Sequence, residues 1–119
     1  MRVYLVQHGK SFSKEEDPER SLTPEGEKEV AGMAEWAARA GVAVAEIKHS
    51  GKTRARQTAE IFAANLHPEG GVREASGLNP LDDVVVFANQ PGNLEEGVML
   101  VGHLPFLERL TSFLITGSP

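Results

Sequence analysis

Arg2-Val3-Tyr4-Leu5-Val6 runs into Gln7-His8-Gly9-Lys10, and this stretch decides the fold because it has two counterparts further on. Glu46-Ile47-Lys48-His49 runs into Ser50-Gly51-Lys52-Thr53-Arg54, and Val98-Met99-Leu100-Val101 runs into Gly102-His103-Leu104-Pro105. Each run has the length of a strand, and each is followed, directly or after a loop, by a segment with helical spacing. Strands that alternate with helices pair in parallel, and in such a sheet every strand ends on the side where ligands bind. His8, Arg54 and His103 are therefore expected to meet in one crevice.

Between these anchors the chain reads as β-α-β-α-(β)-α-β-α. Residues 2–7 are a buried strand, and residues 11–22, polar and broken by Pro18, are a surface loop. Thr23-Pro24-Glu25 starts a helix, with Thr23 as cap, Pro24 at the first helical position and Glu25 at the positive end of the dipole. Val30, Met33, Ala34, Ala37 and Ala40 follow as its apolar stripe, Gly41 stops it, and Trp36 falls off the stripe. Ala55, Ala59, Phe62, Ala63 and Leu66 form a second stripe that His67-Pro68 ends. Residues 69–79 read as loop with a short strand at 71–74. Asn79-Pro80 reads as the cap and first position of a helix reaching about Asn89, although Val84-Val85-Val86-Phe87 alone has strand propensity. A final helix carries Phe106, Leu107, Leu110, Phe113 and Leu114.

Composition narrows the function. At 119 residues, 40% apolar and 24% charged, the chain suits one globular domain spanning 1–119. There are no cysteines, so disulfides, thiolate chemistry and cysteine-ligated metals are excluded. No apolar stretch is long enough to span a bilayer and Met1-Arg2-Val3 leads straight into a strand, so no membrane partner and a cytoplasmic home are expected. Twelve basic against 17 acidic residues give a net charge of −5, which argues against nucleic acid as a partner. An acidic chain that binds an anion must gather its few cations locally; Arg54 and Arg56, with His8, His103 and Lys10, are the candidates. No His/Asp/Glu set has metal-ligand spacing, and there is no glycine-rich nucleotide loop, so no cofactor is expected.

Taken together, Leu5-Val6-Gln7-His8-Gly9, Leu22-Thr23-Pro24-Glu25-Gly26, Ser50 through Ala59 and Leu100-Val101-Gly102-His103-Leu104-Pro105 resemble the histidine phosphatase superfamily. Within it the chain looks most like the small SixA-type phosphohistidine phosphatases. The resemblance implies a phosphoglycerate mutase-like fold, three-layer α/β/α with a mainly parallel sheet. It also implies that His8 is the nucleophile, that Arg54 holds the phosphoryl oxygens and that His103 completes the pocket. Gln7, Gly9, Lys10 and Ser50 are the expected substrate-binding neighbours. The chemistry fits: phosphoryl transfer needs an in-line nucleophile and cationic donors on the equatorial oxygens. A neutral imidazole can attack, an arginine fork suits phosphate, and a glycine lets backbone approach an anion.

Two positions depart from the family pattern. Gln7 stands where the family has arginine, removing a full charge that Lys10 could restore, although a solvated surface lysine is the plainer reading of Lys10. Gly77 stands where many members have a glutamate general acid, with Asp82 and Asp83 as fallback acids that more simply serve a helix start. A phosphoramidate nitrogen leaves more readily than an alkoxide, so the missing acid favours phosphohistidine on a signalling or phosphotransfer protein as substrate. The rival expectations are a weakened phosphate- or phosphoprotein-binding module and a phosphatase for small esters. A phosphate or sulfate ion is expected in the site. Family members continue past this point into a further strand, so the C-terminal strand region is expected to be missing here. A chain natural at this length would leave a bare sheet edge that a homodimer could cover; a fragment would lack stability more than chemistry.

Overall fold

The structure, a computed structural model, describes residues 2–119. Its elements are β1 (Tyr4–Gln7), α1 (Pro24–Arg39), β2 (Glu46–His49), α2 (Thr53–Leu66), β3 (Val72–Glu74), α3 (Val84–Asn89), β4 (Val98–Gly102) and α4 (Phe106–Thr116). The four strands form one sheet in the order β1-β4-β2-β3. Every pairing is parallel, as strands joined through helices must be.

Two cores lie on opposite faces of that sheet. Val30 and Ala34 of α1 pack with Ala55, Ala59 and Phe62 of α2 against Ile47, Met99 and Val101. Leu78, Val84 and Phe87 pack with Phe106, Leu107 and Leu110 against Val98 and Leu100. Alternate residues of β4 thus feed alternate cores, which is why Val98-Met99-Leu100-Val101 is uniformly apolar and fully buried. The expected three-layer α/β/α architecture is what forms. β1 has a partner on one side only, and its residues are half-buried or exposed.

Local sequence explains the elements that frame the site. The Thr23 hydroxyl accepts from Gly26 N at 2.9 Å, Pro24 occupies the first turn, and Gly41 follows the helix at φ +78°. His67 closes α2 in the left-handed conformation. Residues 11–22 are no loose loop: Ser11 bridges Leu22, and Asp17 takes hydrogen bonds from Ser21 N, Ser21 Oγ and Glu19 N.

Two sequence expectations need correction here. The third helix does not open at Asn79-Pro80: those residues form a turn with Asp82, and α3 starts at Val84 under the Asp83 cap. Asp83 Oδ1 accepts from both Val85 N and Val86 N, so its short side chain competes better for the helix start than the proline does. Val84–Phe87 is helical despite its strand propensity, because Val84 and Phe87, one turn apart, both enter the core. In α1, Met33 and Ala40 belong to no buried stripe; Met33 is 57% exposed beside the unpaired flank of β1.

Candidate active site

Strand register sets the site. β1 and β4 align Gln7 with Gly102, and His8 N donates to Gly102 O at 3.0 Å. The residues just past the two strand ends, His8 and His103, therefore stand side by side, with ring centroids 5.0 Å apart. β2 aligns His49 with Val101, which brings Ser50 next to the same place. Ser50 Oγ lies 2.6 Å from His103 Nε2. The first turn of α2 supplies Arg54, whose Nε donates to His8 Nε2 at 3.3 Å. His8, Ser50, Arg54 and His103 thus converge across roughly ninety-five residues of chain.

Hydrogen bonds define the tautomer of His8. Its Nδ1 lies 2.7 Å from Gly9 O, and a carbonyl can only accept, so the ring proton sits on Nδ1. Nε2 is left with its lone pair, facing the Arg54 guanidinium. Burial lowers the His8 pKa; the Gly9 carbonyl opposes this, and the charges of Arg54 and Arg20 add to the lowering. His103 is driven down to about 4, by burial first and then by Arg54, with smaller contributions from His8, Lys52 and Arg20. Both rings are accordingly neutral at pH 7. His103 Nδ1 is the one buried side-chain polar atom among the described residues with no hydrogen-bond partner. Such an atom is costly to leave bare.

Three interactions hold this arrangement that the sequence reading missed. Thr58, fully buried one helical turn after Arg54, donates to Arg54 O at 2.8 Å and accepts from Gly9 N at 3.0 Å. It straps the post-β1 loop to α2, and only its four-residue offset from Arg54 hints at this in the sequence. His49 Nδ1 accepts from Gly51 N at 3.0 Å and so shapes the turn that carries Ser50 and Lys52. Arg20, in the left-handed conformation, is anchored through Nε to Phe12 O and through Nη2 to Ser11 Oγ, and its charge reaches His8, Arg54 and His103.

The other expected site residues are placed differently. Gly9 is glycine because α1 passes close: a Cβ there would lie 2.6 Å from Val30 Cγ2. Gly26 answers it from the helix side, where a Cβ would fall 2.1 Å from Lys10 O. Lys10 is exposed and ion-paired with Glu25 at 3.0 Å, which raises its pKa. Gln7 is exposed, and its amide makes no hydrogen bond among the described residues. Gly77 adopts φ +88° against Phe87. Asp82 and Asp83 spend their carboxylates on Asn79 N and on the α3 cap. Among the described residues no group of three His, Asp or Glu is placed to hold a metal ion, and no helix is long and apolar enough to cross a membrane.

Comparison with known proteins agrees with this geometry. The sequence model of the histidine phosphatase superfamily (branch 1) matches residues 3–79. The protein histidine phosphatase SixA, solved with tungstate, superposes with a TM-score of 0.82 at 29% identity, over 96% of this chain and 76% of that one. A candidate phosphohistidine phosphatase SixA from Agrobacterium tumefaciens gives 0.80 at 24% identity, over 95% and 75%. A phosphoglycerate mutase from Plasmodium falciparum shares the fold at a TM-score of 0.62 and 20% identity, over 98% and 69%. No curated protein matches the sequence significantly. With a family model covering well over half its length and the strand-end histidines side by side, the chain belongs to branch 1 of the histidine phosphatase superfamily.

Proposed function

We propose that the protein is a phosphohistidine phosphatase, acting on a signalling or phosphotransfer protein through a covalent phosphohistidine on His8. One observation carries the reading: the His8 ring donates to Gly9 O through Nδ1, so Nε2 is an unprotonated nucleophile beside the Arg54 guanidinium. In the first step Nε2 attacks phosphorus, the phosphorus–nitrogen bond to the substrate imidazole breaks, and that imidazole takes a proton from solvent. Arg54 bears the charge on the equatorial oxygens, with His103 beside them. In the second step water attacks phosphorus, inorganic phosphate leaves, and His8 returns to its neutral form.

The loop at Ser76–Asn79 supports the substrate class. It presents no carboxylic acid to the site, since Gly77 packs on Phe87 and the nearby aspartates are committed to backbone amides. A nitrogen leaving group tolerates that gap better than an alkoxide does. The tungstate complex of the SixA relative supports an oxyanion, such as phosphate or sulfate, as the group the pocket takes. Hydrolysis of a histidine-phosphorylated protein, compared with aryl and sugar phosphates at equal concentration, tests the reading. A preference for the phosphoprotein supports it, and equal or better turnover of sugar phosphates overturns it.

One observation favours a second reading, a phosphoprotein-binding module without turnover. Gln7 leaves the pocket one charge short, and Lys10 does not make this good because Glu25 holds it. Phosphate binding without release of phosphate from any substrate would select that reading.

A further inference from the structure

Four cations line a cleft of about 430 Å³ beside the two histidines: Lys14, Arg20, Lys52 and Arg54. They come from the 11–22 loop and from the start of α2, two segments far apart in sequence. Four cations elsewhere are ion-paired, in Lys10–Glu25, Lys48–Glu46, Arg56–Glu60 and Arg73–Glu46. None of the four around the cleft has a carboxylate partner among the described residues. Glu19 is the one acid that lines the cleft, and it makes no ion pair with them. A chain of net charge −5 thus gathers four unpaired cations around one cleft. Mutual repulsion makes such a cluster unfavourable until an anion arrives.

Arg54 belongs to the phosphoryl pocket; the other three extend outward from it. Arg20 is fixed by Phe12 O and Ser11 Oγ, which holds its guanidinium at the boundary between pocket and cleft. Lys14 and Lys52 are exposed on opposite banks, the second at the N-cap of α2, where no side chain caps the helix. Two exposed ammonium groups facing solvent on the rim suit a large partner that brings its own charges better than an enclosed small ligand.

We propose that Lys14, Arg20 and Lys52 form a docking rim for an acidic protein surface, so that the preferred phosphohistidine is one flanked by carboxylates. This rests on the phosphohistidine reading above for the identity of the reacting group, but the rim itself does not depend on turnover. The rim steers the acidic face of the partner onto the cleft and so sets KM, while the chemistry stays with His8, Arg54 and His103. It also gives Arg20 a role that no local sequence pattern marks.

Two arms of one experiment test this with Lys14→Glu/Lys52→Glu. In the first, fluorescence anisotropy follows a glutamate-rich peptide binding to the native chain and to the double variant at low salt. Binding to the native chain that the variant loses supports the rim; equal binding to both overturns it. In the second, KM is measured on a histidine-phosphorylated protein with carboxylates beside its phosphohistidine, and on the same protein with those carboxylates changed to amides. The double variant should raise KM for the acidic substrate about tenfold or more at low ionic strength, an effect that shrinks toward unity near 0.5 M salt. Hydrolysis of free phosphoramidate should persist and change far less than the KM for the acidic protein, which also shows the variant is folded. An equal rise for the amide substrate, or a preference confined to small bisphosphates, overturns the proposal. If no substrate is turned over, the phosphatase reading fails while the peptide arm still decides the rim.

Discussion

The Arg54 guanidinium and the His8 imidazole meet at 3.3 Å, Nε to Nε2, while the far nitrogen of that imidazole is tied to Gly9 O at 2.7 Å. The contact joins the residue just past β1 to the first turn of α2, and the Arg54 Nε–H must pass from the Nε2 lone pair to a phosphoryl oxygen before that lone pair attacks. A cation this near disfavours protonation of the ring and, at the same time, is ready for a phosphoryl oxygen.

Replacing Arg54 by lysine keeps the charge but removes the fork and its directed Nε–H. Arg54→Lys should lower kcat by about ten- to a hundredfold, the cost of one or two charge-assisted hydrogen bonds, with little change in melting temperature. Steady-state phosphate release beside thermal unfolding separates the two effects.

Gln7→Arg should act in the opposite direction. Gln7 is exposed and holds nothing, so the substitution disturbs no contact. The added charge should tighten phosphate or vanadate binding by about ten- to a hundredfold. Titration calorimetry reads this directly, and an unchanged affinity would mean that position 7 does not face the anion.

Thr58→Val preserves shape and deletes the hydroxyl that joins Gly9 N to Arg54 O. The half-buried Gly9 amide left without its acceptor costs up to about 1–3 kcal/mol, so the variant should unfold at lower denaturant concentration. Its activity should fall as well, because the strap aligns the His8 loop with α2. Gly26→Ala should also destabilise the chain, by about 1–3 kcal/mol of overpacking against Lys10 O.

Stability should depend on pH through the histidines. His8, His49 and His103 are all held below the ordinary value of 6.5, His103 down to about 4. The unfolded chain then binds protons more readily than the folded one, so their contribution is complete above about pH 6.5 and is lost as pH falls toward 4. Sulfate in the pocket should offset part of that loss, and should do so less in Arg54→Ala. Urea midpoints between pH 7 and 4, with and without sulfate, check both statements.

The fold was legible where periodicity and chain order agree. The apolar strand runs, the Thr23-Pro24 helix start and the stripe Ala55, Ala59, Phe62 all predict what forms, and parallel pairing follows from strands alternating with helices. The third helix began late because capping by Asp83 outweighs a proline at position 80, a competition that spacing does not display. Met33 reads as core in any helical wheel, and only the sheet order reveals that its side of β1 is unpaired. The meeting of His8, Arg54 and His103 could be foreseen because all three follow strand ends. Thr58, His49 and Arg20 could not: each acts through backbone atoms brought near by tertiary structure. Gly9 has a second cause that the sequence does not display, since contact with α1 requires it whether or not an anion binds.

The central claim is that His8 Nε2 attacks phosphorus, and trapping the phosphorylated chain tests it most directly. After brief mixing with a histidine-phosphorylated protein carrying labelled phosphate, an alkaline quench followed by peptide mapping should place an acid-labile label on His8. His8→Ala should carry none. A label on another residue, or equal labelling of His8→Ala, would contradict the account.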